Sequence, residues 1–175
     1  MVRAVFPGTF DPIHNGHIDI ARRAAQHFDE LVVAVYTRPL KTLLFSSEER
    51  LRLVRQTFQE DAHIKVDLFN GLIVNYCRDV NAQVIVRGLR VFSDFEHEFR
   101  MALANRRLAP EIDVIALITS EDHSFLTGST VREIASLHGD VSSLVPEHVD
   151  LALQRRFKEL GEEKAGGFAN SSFRD

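Results

Sequence analysis

Residues 2–28, VRAVFPGTFDPIHNGHIDIARRAAQHF, contain three kinds of sequence in succession. VRAVF at 2–6 is a short apolar run, which predicts a strand. The stretch PGTFDPIHNGH is rich in proline, glycine and histidine and predicts a loop. Residues 16–28 predict an amphipathic helix, because one helical face collects the apolar side chains Ile20, Ala21, Ala24, Ala25 and Phe28. The chain therefore begins with a predicted strand–loop–helix unit.

The same alternation continues along the chain. Short apolar runs predict four more strands, at 31–36, 63–68, 83–87 and 113–118. Helical segments are predicted at 46–59, 71–80, 94–108, 129–138 and 146–160. Strands that alternate with helices form parallel sheets, and nearly continuous apolar strands are typical of sheets covered on both faces. The sequence therefore predicts an α/β fold: a doubly wound, five-stranded parallel sheet with helices on both faces.

Composition narrows the class of protein. The chain has 175 residues, 45% of them hydrophobic, and a formal net charge of −4, which is not typical of nucleic-acid binding. We expect one domain over 1–160 and a flexible tail over 161–175, where apolar periodicity is weak. No apolar run approaches the roughly 20 residues that span a bilayer, and the single Cys77 cannot form an intramolecular disulfide. We therefore expect a cytoplasmic protein with no nucleic-acid or membrane partner.

The loop before the first helix predicts an anion site. Ligands of open parallel sheets bind at the carboxyl ends of the strands, where a helix N-terminus offers N–H groups and a positive dipole end. His14 and His17 fall on one side of the first helical turn, where both can donate hydrogen bonds to phosphate, and Gly16 allows close approach. This pattern favours a nucleoside triphosphate. The alternatives are a zinc site, which lacks a matching third ligand, and surface histidines in an ordinary turn.

Three further segments follow predicted strands. VRGLR places the guanidinium groups of Arg87 and Arg90 at the edge of the sheet, where paired N–H donors suit phosphate oxygens. Lys41 lies in the loop after the second strand, from which a lysine can neutralise developing charge. SFLTGST brings four hydroxyls to a helix start: Ser124, Thr127, Ser129 and Thr130. The alternatives are solvated arginines, an ordinary loop lysine and simple helix capping.

PGTFDPIHNGH contains the HxGH signature of Rossmann-like nucleotidyltransferases, and it resembles the start of the bacterial phosphopantetheine adenylyltransferases. The resemblance continues to about residue 158 through LKTLLFSSEERL, NGLIVNYCRDV, VIVRGLRVFSDFEHEF, HSFLTGSTVREIA and GDVSSLVPEHV. It implies a Rossmann-like fold and reversible adenylyl transfer from ATP to 4′-phosphopantetheine, which yields 3′-dephospho-CoA and pyrophosphate in coenzyme A biosynthesis. It also implies Mg²⁺ that accompanies ATP, a homohexamer and feedback binding of CoA.

The resemblance also implies which residues form the site. Four residues are implied in catalysis: Thr9, His17, Lys41 and Arg90. The acceptor would contact Thr9, Lys41, Ile73 and Arg87. ATP would contact Thr9, Phe10, His17, Gly88, Leu89, Arg90, Glu98, His123, Ser124, Phe125, Leu126, Thr127, Gly128 and Ser129.

In the implied reaction the nucleophile is the acceptor's own phosphate, which is already charged at neutral pH. No protein base is then needed, and catalysis rests on positioning and charge stabilisation. We expect His17 to donate a hydrogen bond to the α-phosphate and Thr9 to orient the attacking phosphate. Lys41 and Arg87 would hold that phosphate, and Arg90 would hold the nucleotide.

Three residues depart from the family pattern: Thr42 stands where a second lysine is common, His97 where tyrosine is common and His123 where tryptophan is common. A fourth departure is TGS at 127–129, in place of a run of serines, so contacts there would be mostly through the backbone.

Other functions remain open at this stage. A nicotinamide- or nicotinate-mononucleotide adenylyltransferase would share the HxGH region, although Lys41, VRGLR and SDFEHEF favour pantetheine. A glycerol-phosphate-type cytidylyltransferase would carry a further segment that is not apparent here. A regulatory module without turnover is disfavoured because His17, Lys41 and Arg90 are all present. The missing GxGxxG and Walker motifs argue against a dinucleotide reductase and a P-loop protein.

Overall fold

The computed structural model describes residues 1–37 and 43–169, and for 92, 93 and 162–169 it describes the backbone only. Five strands and six α-helices are found in this part of the chain. In chain order they are β1 Arg3–Gly8, α1 Asn15–Ala25, β2 Glu30–Tyr36, α2 Ser47–Thr57, β3 Ile64–Phe69, α3 Ile73–Asp79, β4 Val84–Leu89, α4 Phe92–Leu108, β5 Asp113–Ile118, α5 Gly128–Ser136 and α6 Glu147–Ala169. A short 3₁₀ turn, Glu121–His123, follows β5.

The strands form one parallel sheet in the order β3–β2–β1–β4–β5. The chain moves outward from β1 to β3 on one side, then returns to β4 and β5 on the other. The order therefore reverses between β1 and β4, which is where open α/β sheets bind ligands. The predicted doubly wound, five-stranded parallel sheet is confirmed.

Helices cover both faces of the sheet because the side chains of its central strands alternate between two hydrophobic cores. On one face, Phe6 and Val33 join the larger core, which also takes residues from α1, α2, α5 and α6. On the other face, Val5 and Val32 join a smaller core with α3 and the segment after α4. Cys77 lies in this second core, where burial raises the pKa of its thiol to about 12.

A crevice opens between β1 and β4. These strands are paired only at Ala4 and Val5 of β1, whereas β1 stays paired with β2 as far as Gly8 and β4 with β5 as far as Leu89. The carboxyl ends of the two central strands therefore lie side by side without a backbone ladder between them. Side chains and a ligand can occupy this gap.

Two sequence predictions need correction. The fourth strand was predicted to end at Arg87, but β4 extends to Leu89 because Gly88 and Leu89 continue the ladder with β5. β5 is not covered on both faces, since Ile118 at its end is 74% exposed. α6 extends to Ala169, and the domain boundary at 160 and the flexibility of residues 161–175 stay predictions. Residues 170–175 lie outside the described chain.

No helix in the described part of the chain combines the length and the apolar character that a membrane span requires.

Candidate active site

A cleft of about 610 Å³ lies at the carboxyl ends of β1 and β4. The loop before α1, the end of β4, the N-terminus of α5 and two aromatic side chains from β2 and β3 form its walls. Twelve of the predicted site residues line it: Thr9, Phe10, His17, Arg87, Gly88, Arg90, Glu98, His123, Leu126, Thr127, Gly128 and Ser129. The fold therefore brings together residues that are up to 120 positions apart in sequence.

Four of the predicted site residues that the structure describes do not line the cleft. Leu89, Ser124 and Phe125 are not among the residues that line it, and the Phe125 side chain is 58% exposed. Ile73 begins α3 and packs against the smaller core beside Tyr36. Lys41, like the departure at Thr42, lies outside the described residues.

The two histidines of the loop stack on each other at the start of α1. Their ring centroids are 3.6 Å apart with an interplanar angle of 23°. The backbone N–H of His14 donates to Nδ1 of His17 at 3.3 Å. A neutral imidazole that accepts at Nδ1 carries its proton on Nε2. The loop therefore selects the tautomer of His17 that can donate a hydrogen bond from Nε2.

His14 lies deeper than the sequence suggested. Its side chain is 4% exposed, and burial, reinforced by Arg90 and His123, lowers its pKa to about 3. Its Nδ1 is buried without a hydrogen-bond partner in the described part of the chain. His14 is therefore a neutral ring that supports His17 from behind, with one polar atom left for a ligand.

Phe10 holds the loop from inside. Its side chain is 2% exposed and its backbone has φ 51°, a conformation that is unusual for a bulky residue. The ring packs edge-on against Phe6 at 5.7 Å and against His17 at 5.0 Å, measured between centroids. Gly8 is required beneath it, because a Cβ there would lie 2.7 Å from Cζ of Phe10. Phe10 thus fixes the position of His17 as well as lining the cleft.

Arg87 and Glu98 form an ion pair in the cleft wall. Nε and one terminal nitrogen of Arg87 donate to the two carboxylate oxygens of Glu98 at 2.7 and 2.6 Å. The other terminal nitrogen donates to the carbonyl of Pro7 at 3.1 Å, across the gap between β4 and β1. Three of the five guanidinium N–H groups are used, so two remain for a ligand. The structure places Glu98 on Arg87, a partner that the sequence did not suggest.

Arg90 is held in a similar way by Asp94, one helical turn later. Two of its nitrogens donate to the Asp94 carboxylate at 3.0 and 3.1 Å. A third donates to the carbonyl of Leu126 at 3.0 Å. Burial alone would raise the pKa of the Asp94 carboxyl, but the hydrogen bonds and the charge of Arg90 together outweigh it and keep that pKa below its ordinary value. Arg90 therefore joins the end of β4 to the loop before α5.

The N-terminus of α5 faces the first loop at close range. Thr127 caps the helix, because its hydroxyl accepts from the backbone N–H of Thr130 at 2.9 Å. Ser124 donates its hydroxyl to the carbonyl of Glu121 at 2.9 Å. A Cβ at Gly128 would lie 3.0 Å from the carbonyl oxygen of Asp11. Several of the predicted hydroxyls are thus used for capping and turns, which leaves backbone N–H groups of the helix start for an anion.

Two charged residues of the site were missed by sequence reasoning. Asp11 lies in the predicted loop without an assigned role, but its carboxylate is buried and accepts from the N–H groups of Leu44 and Phe45 at 2.9 and 3.0 Å. Arg132 of α5 donates to the Asp11 carbonyl and lies 3.4 Å from its carboxylate. The only sequence signal for Arg132 was its place one turn after Ser129, at the cleft end of a predicted helix.

The acidic side chains of the cleft already have partners. Asp94 binds Arg90, Glu98 binds Arg87, and Asp11 accepts from backbone N–H groups. Within residues 1–37 and 43–169, no three His, Cys, Asp or Glu side chains come together in a way that could hold a metal ion. The described residues of the cleft thus offer no ready-made cluster of side chains for a metal ion.

Comparison with known proteins agrees with this geometry. A family model described as cytidylyltransferase-like matches residues 5–134. The chain is similar to proteins named phosphopantetheine adenylyltransferase from Carboxydothermus hydrogenoformans (50% identical, covering 90% of this chain and 98% of the relative), Roseiflexus sp. RS-1 (52%, 90% and 98%) and Herpetosiphon aurantiacus (47%, 94% and 100%).

A solved structure, the lipopolysaccharide core biosynthesis protein from Thermoplasma volcanium, shares the fold with a TM-score of 0.54 and 22% identity, over 69% of this chain and 99% of that one. At that identity it supports the fold alone. The similarity to the bacterial relatives identifies the family, because 47–52% of the residues are identical over at least 90% of the chain. The chain belongs to the phosphopantetheine adenylyltransferase family of cytidylyltransferase-like proteins.

Proposed function

We propose that the protein transfers the adenylyl group of ATP reversibly to 4′-phosphopantetheine, giving 3′-dephospho-CoA and pyrophosphate in coenzyme A biosynthesis. The observation that carries this proposal is identity of about half the residues, over nearly the whole chain, with relatives named for that activity. The cleft between β1 and β4 supports it, because it combines a helix N-terminus, a histidine donor and arginines at one edge.

His17 is the proposed donor to the α-phosphate. The acceptor's phosphate attacks, the bond to pyrophosphate breaks, and negative charge builds on the α-phosphate oxygens. A hydrogen-bond donor that is already in position stabilises that charge, because the protein does not have to rearrange during the reaction. The bond from His14 N–H to Nδ1 of His17 and the edge contact with Phe10 fix the ring with its proton on Nε2.

In this proposal Arg87 binds the acceptor and Arg90 binds the nucleotide. Arg87 lines the same cleft as Tyr36 and Phe69, whose ring centroids are 4.9 Å apart and which form an apolar wall that suits the pantetheine arm. Thr9 faces the same cleft and would orient the acceptor phosphate. Arg90, bonded to the Leu126 carbonyl, lies with the α5 N-terminus and would hold the nucleotide. Lys41 stays a prediction for the acceptor phosphate, as does Ile73 for the arm.

Mg²⁺ is proposed to enter as the counter-ion of ATP, and so as part of the substrate. This agrees with the carboxylates of the cleft, which are bonded to arginines and backbone N–H groups. No step of the mechanism is assigned to a protein-held metal.

A homohexamer is the proposed assembly. α4 and β5 expose large apolar side chains in the single chain: Phe95, Phe99, Met101, Leu103, Leu108, Ile115 and Ile118. Phe95, Phe99 and Leu103 are four residues apart and share one face of α4. Contact between copies would bury them. Sedimentation of the wild type and of Phe99→Glu tests this, and a monomeric wild type at micromolar concentration would contradict it.

We also propose that CoA inhibits the enzyme by binding in the cleft, and that the protein is cytoplasmic. CoA combines a pantetheine arm with an adenine nucleotide, so one molecule would occupy both halves of the cleft and compete with both substrates. A reduced, buried Cys77 suits the cytoplasm.

The test of the proposed function is pyrophosphate release with ATP, Mg²⁺ and one of three acceptors: 4′-phosphopantetheine, nicotinamide mononucleotide or none. Release only with 4′-phosphopantetheine supports the proposal. Release only with the mononucleotide would replace the acceptor, and ATP binding without release in any mixture would indicate a module without turnover.

A further inference from the structure

Asp19 of α1 carries a charge that the proposed mechanism does not use. Its carboxylate accepts from the Ser120 hydroxyl at 2.7 Å and from the Arg23 guanidinium at 3.0 Å. Burial alone would raise the pKa of the Asp19 carboxyl, but the hydrogen bonds from Ser120 and Arg23 and the charge of Arg23 outweigh it and keep that pKa below its ordinary value. Asp19 is therefore an ionised acceptor at neutral pH, and hydrogen bonds to ionised groups are stronger than those between neutral groups.

Asp19, Arg23 and Ser120 join α1 to the end of β5, and we call these three residues the Asp19 cluster. Besides its bond to Asp19, Arg23 donates to the carbonyl of Ile118, the last residue of β5, at 2.8 Å. Apolar packing contributes little at this point, because the Ile118 side chain is 74% exposed. The hydrogen bonds of the Asp19 cluster therefore help to fix the place where the chain leaves the sheet.

The chain that leaves β5 forms part of the cleft wall. Thr119 precedes Ser120, His123 ends the 3₁₀ turn that follows it, and both Thr119 and His123 line the cleft. The backbone N–H of His123 donates to the Ser120 carbonyl at 3.0 Å, and that of Leu126 donates to the His123 carbonyl at 3.1 Å. A displacement of Ser120 would therefore also displace His123 and Leu126, whose carbonyl binds Arg90.

The same turn packs closely against the start of α1. A Cβ at Gly16 would lie 3.5 Å from Cβ of His123. Gly16 is in the first turn of α1, and Asp19 follows three residues later. α1 thus contacts the turn at two points, His123 and Ser120, and the bond between Ser120 and Asp19 sets how far His123 lies from the N-terminus of α1.

We propose that Asp19 is a positioning residue for the nucleotide: through Ser120 it holds Thr119 and His123 in the cleft wall at the distance from α1 that ATP requires. This inference rests on the proposed function, because it takes ATP to be the ligand beside His123. It makes a directional claim. Within the described part of the chain, the side chains of the Asp19 cluster bind one another and the end of β5, and they do not bind Arg87 on the acceptor side. Loss of the cluster should therefore weaken the binding of ATP more than that of 4′-phosphopantetheine.

The first experiment compares Ser120→Ala with Ser136→Ala, a matched control whose hydroxyl donates to the Glu133 carbonyl near the C-terminal end of α5. Ser120→Ala removes one hydroxyl and keeps the ion pair between Asp19 and Arg23. In calorimetric titrations with ATP and Mg²⁺, the Kd for ATP should rise roughly 3- to 10-fold, the size of one lost hydrogen bond. The Kd for 4′-phosphopantetheine, and both Kd values of the control, should change by no more than about twofold. An unchanged Kd for ATP, or an equal rise for both ligands, would overturn the proposal.

The second experiment tests whether Asp19 acts through Ser120. Asp19→Ala should raise the Kd for ATP at least as much as Ser120→Ala, and the double variant should bind ATP no more weakly than Asp19→Ala, because both changes remove the same bond. Asp19→Asn keeps an oxygen that can accept from the Ser120 hydroxyl, so its loss of affinity should be smaller. Additive losses in the double variant, or an Asn variant as weak as the Ala variant, would overturn the proposal. Ser120→Ala decides the matter by itself if Asp19→Ala does not fold.

Both Kd values are measured without turnover, so a failure of this inference can be distinguished from a failure of the proposed function. A wild type that binds ATP but not 4′-phosphopantetheine, or that releases no pyrophosphate, would contradict the proposed function. The comparison of ATP affinities would then still decide the role of Asp19. A wild type that does not bind ATP would overturn both.

Discussion

The rings of His14 and His17 lie stacked with centroids 3.6 Å apart, and the backbone N–H of the first donates to Nδ1 of the second. This relationship gives the two histidines of one motif different tasks. The inner ring is buried and neutral, and the outer ring lies in the cleft with a defined tautomer.

Burial of His14 predicts a loss of stability in mild acid. Its pKa is lowered from 6.5 to about 3, so between these values the unfolded chain binds a proton that the folded chain does not. From pH 7 to pH 5 this linkage removes about 2 kcal/mol of the free energy of unfolding. Urea titrations at both pH values check it: the loss should shrink in His14→Gln and persist in His27→Gln, whose histidine is exposed. An equal loss in all three proteins would contradict the assignment.

The tautomer of His17 predicts a ranking of substitutions. His17→Ala should lower kcat on the order of 100-fold while ATP binding stays largely intact, because the donor acts on charge that develops in the transition state. The amide nitrogen of Gln reaches about as far as Nε2, whereas that of Asn reaches only as far as Nδ1. His17→Gln should therefore be faster than His17→Asn in single-turnover assays. The reverse order, or near wild-type turnover in His17→Ala, would remove Nε2 from the mechanism.

The Arg87–Glu98 pair predicts a defect that is specific to the acceptor. Arg87→Lys loses the bidentate hydrogen bond to Glu98 and the hydrogen bond to the Pro7 carbonyl, so the position of the cation is less well defined. KM for 4′-phosphopantetheine should rise roughly 10-fold, with little change for ATP. Arg78→Lys is the matched control, since Arg78 binds Glu111 and the Leu108 carbonyl away from the cleft. A rise in KM for ATP alone would place Arg87 on the nucleotide instead.

The contact between Gly8 and Phe10 predicts a coupled effect on stability and turnover. A methyl group at Gly8 would meet the Phe10 ring at 2.7 Å, and that ring packs against His17. Gly8→Ala should cost about 1–3 kcal/mol of the free energy of unfolding and should also lower kcat. Gly161→Ala, in α6 with nothing within 4 Å, is the control and should change neither adversely. Full activity in Gly8→Ala would show that Phe10 does not position His17.

Much of the fold could be predicted because its signals are local. The apolar runs of β1, β2 and β4 and the Ser46–Glu49 capping box before α2 depend on neighbouring residues only. Strand ends were less predictable. Gly88 belongs to β4 because it continues the ladder with β5, and that pairing is not encoded near Gly88.

The sequence predicted which residues form the site, but it did not predict which residues they bind. Sequence motifs predicted His17, Arg87, Arg90 and Gly128 as site residues, and all four line the cleft. Their partners depend on which distant segments meet, such as the contact of Arg132 with Asp11 across 121 positions. The roles of these side chains, the boundary of the domain at 160 and the part played by Lys41 stay predictions.

The most direct test of the central claim runs the reaction in both directions and identifies the products by mass spectrometry. With ATP, Mg²⁺ and 4′-phosphopantetheine the wild type should form 3′-dephospho-CoA, and with 3′-dephospho-CoA and pyrophosphate it should form ATP. His17→Asn should be slow in both directions. ATP consumption without dephospho-CoA, or product formation only from another acceptor, would contradict the account.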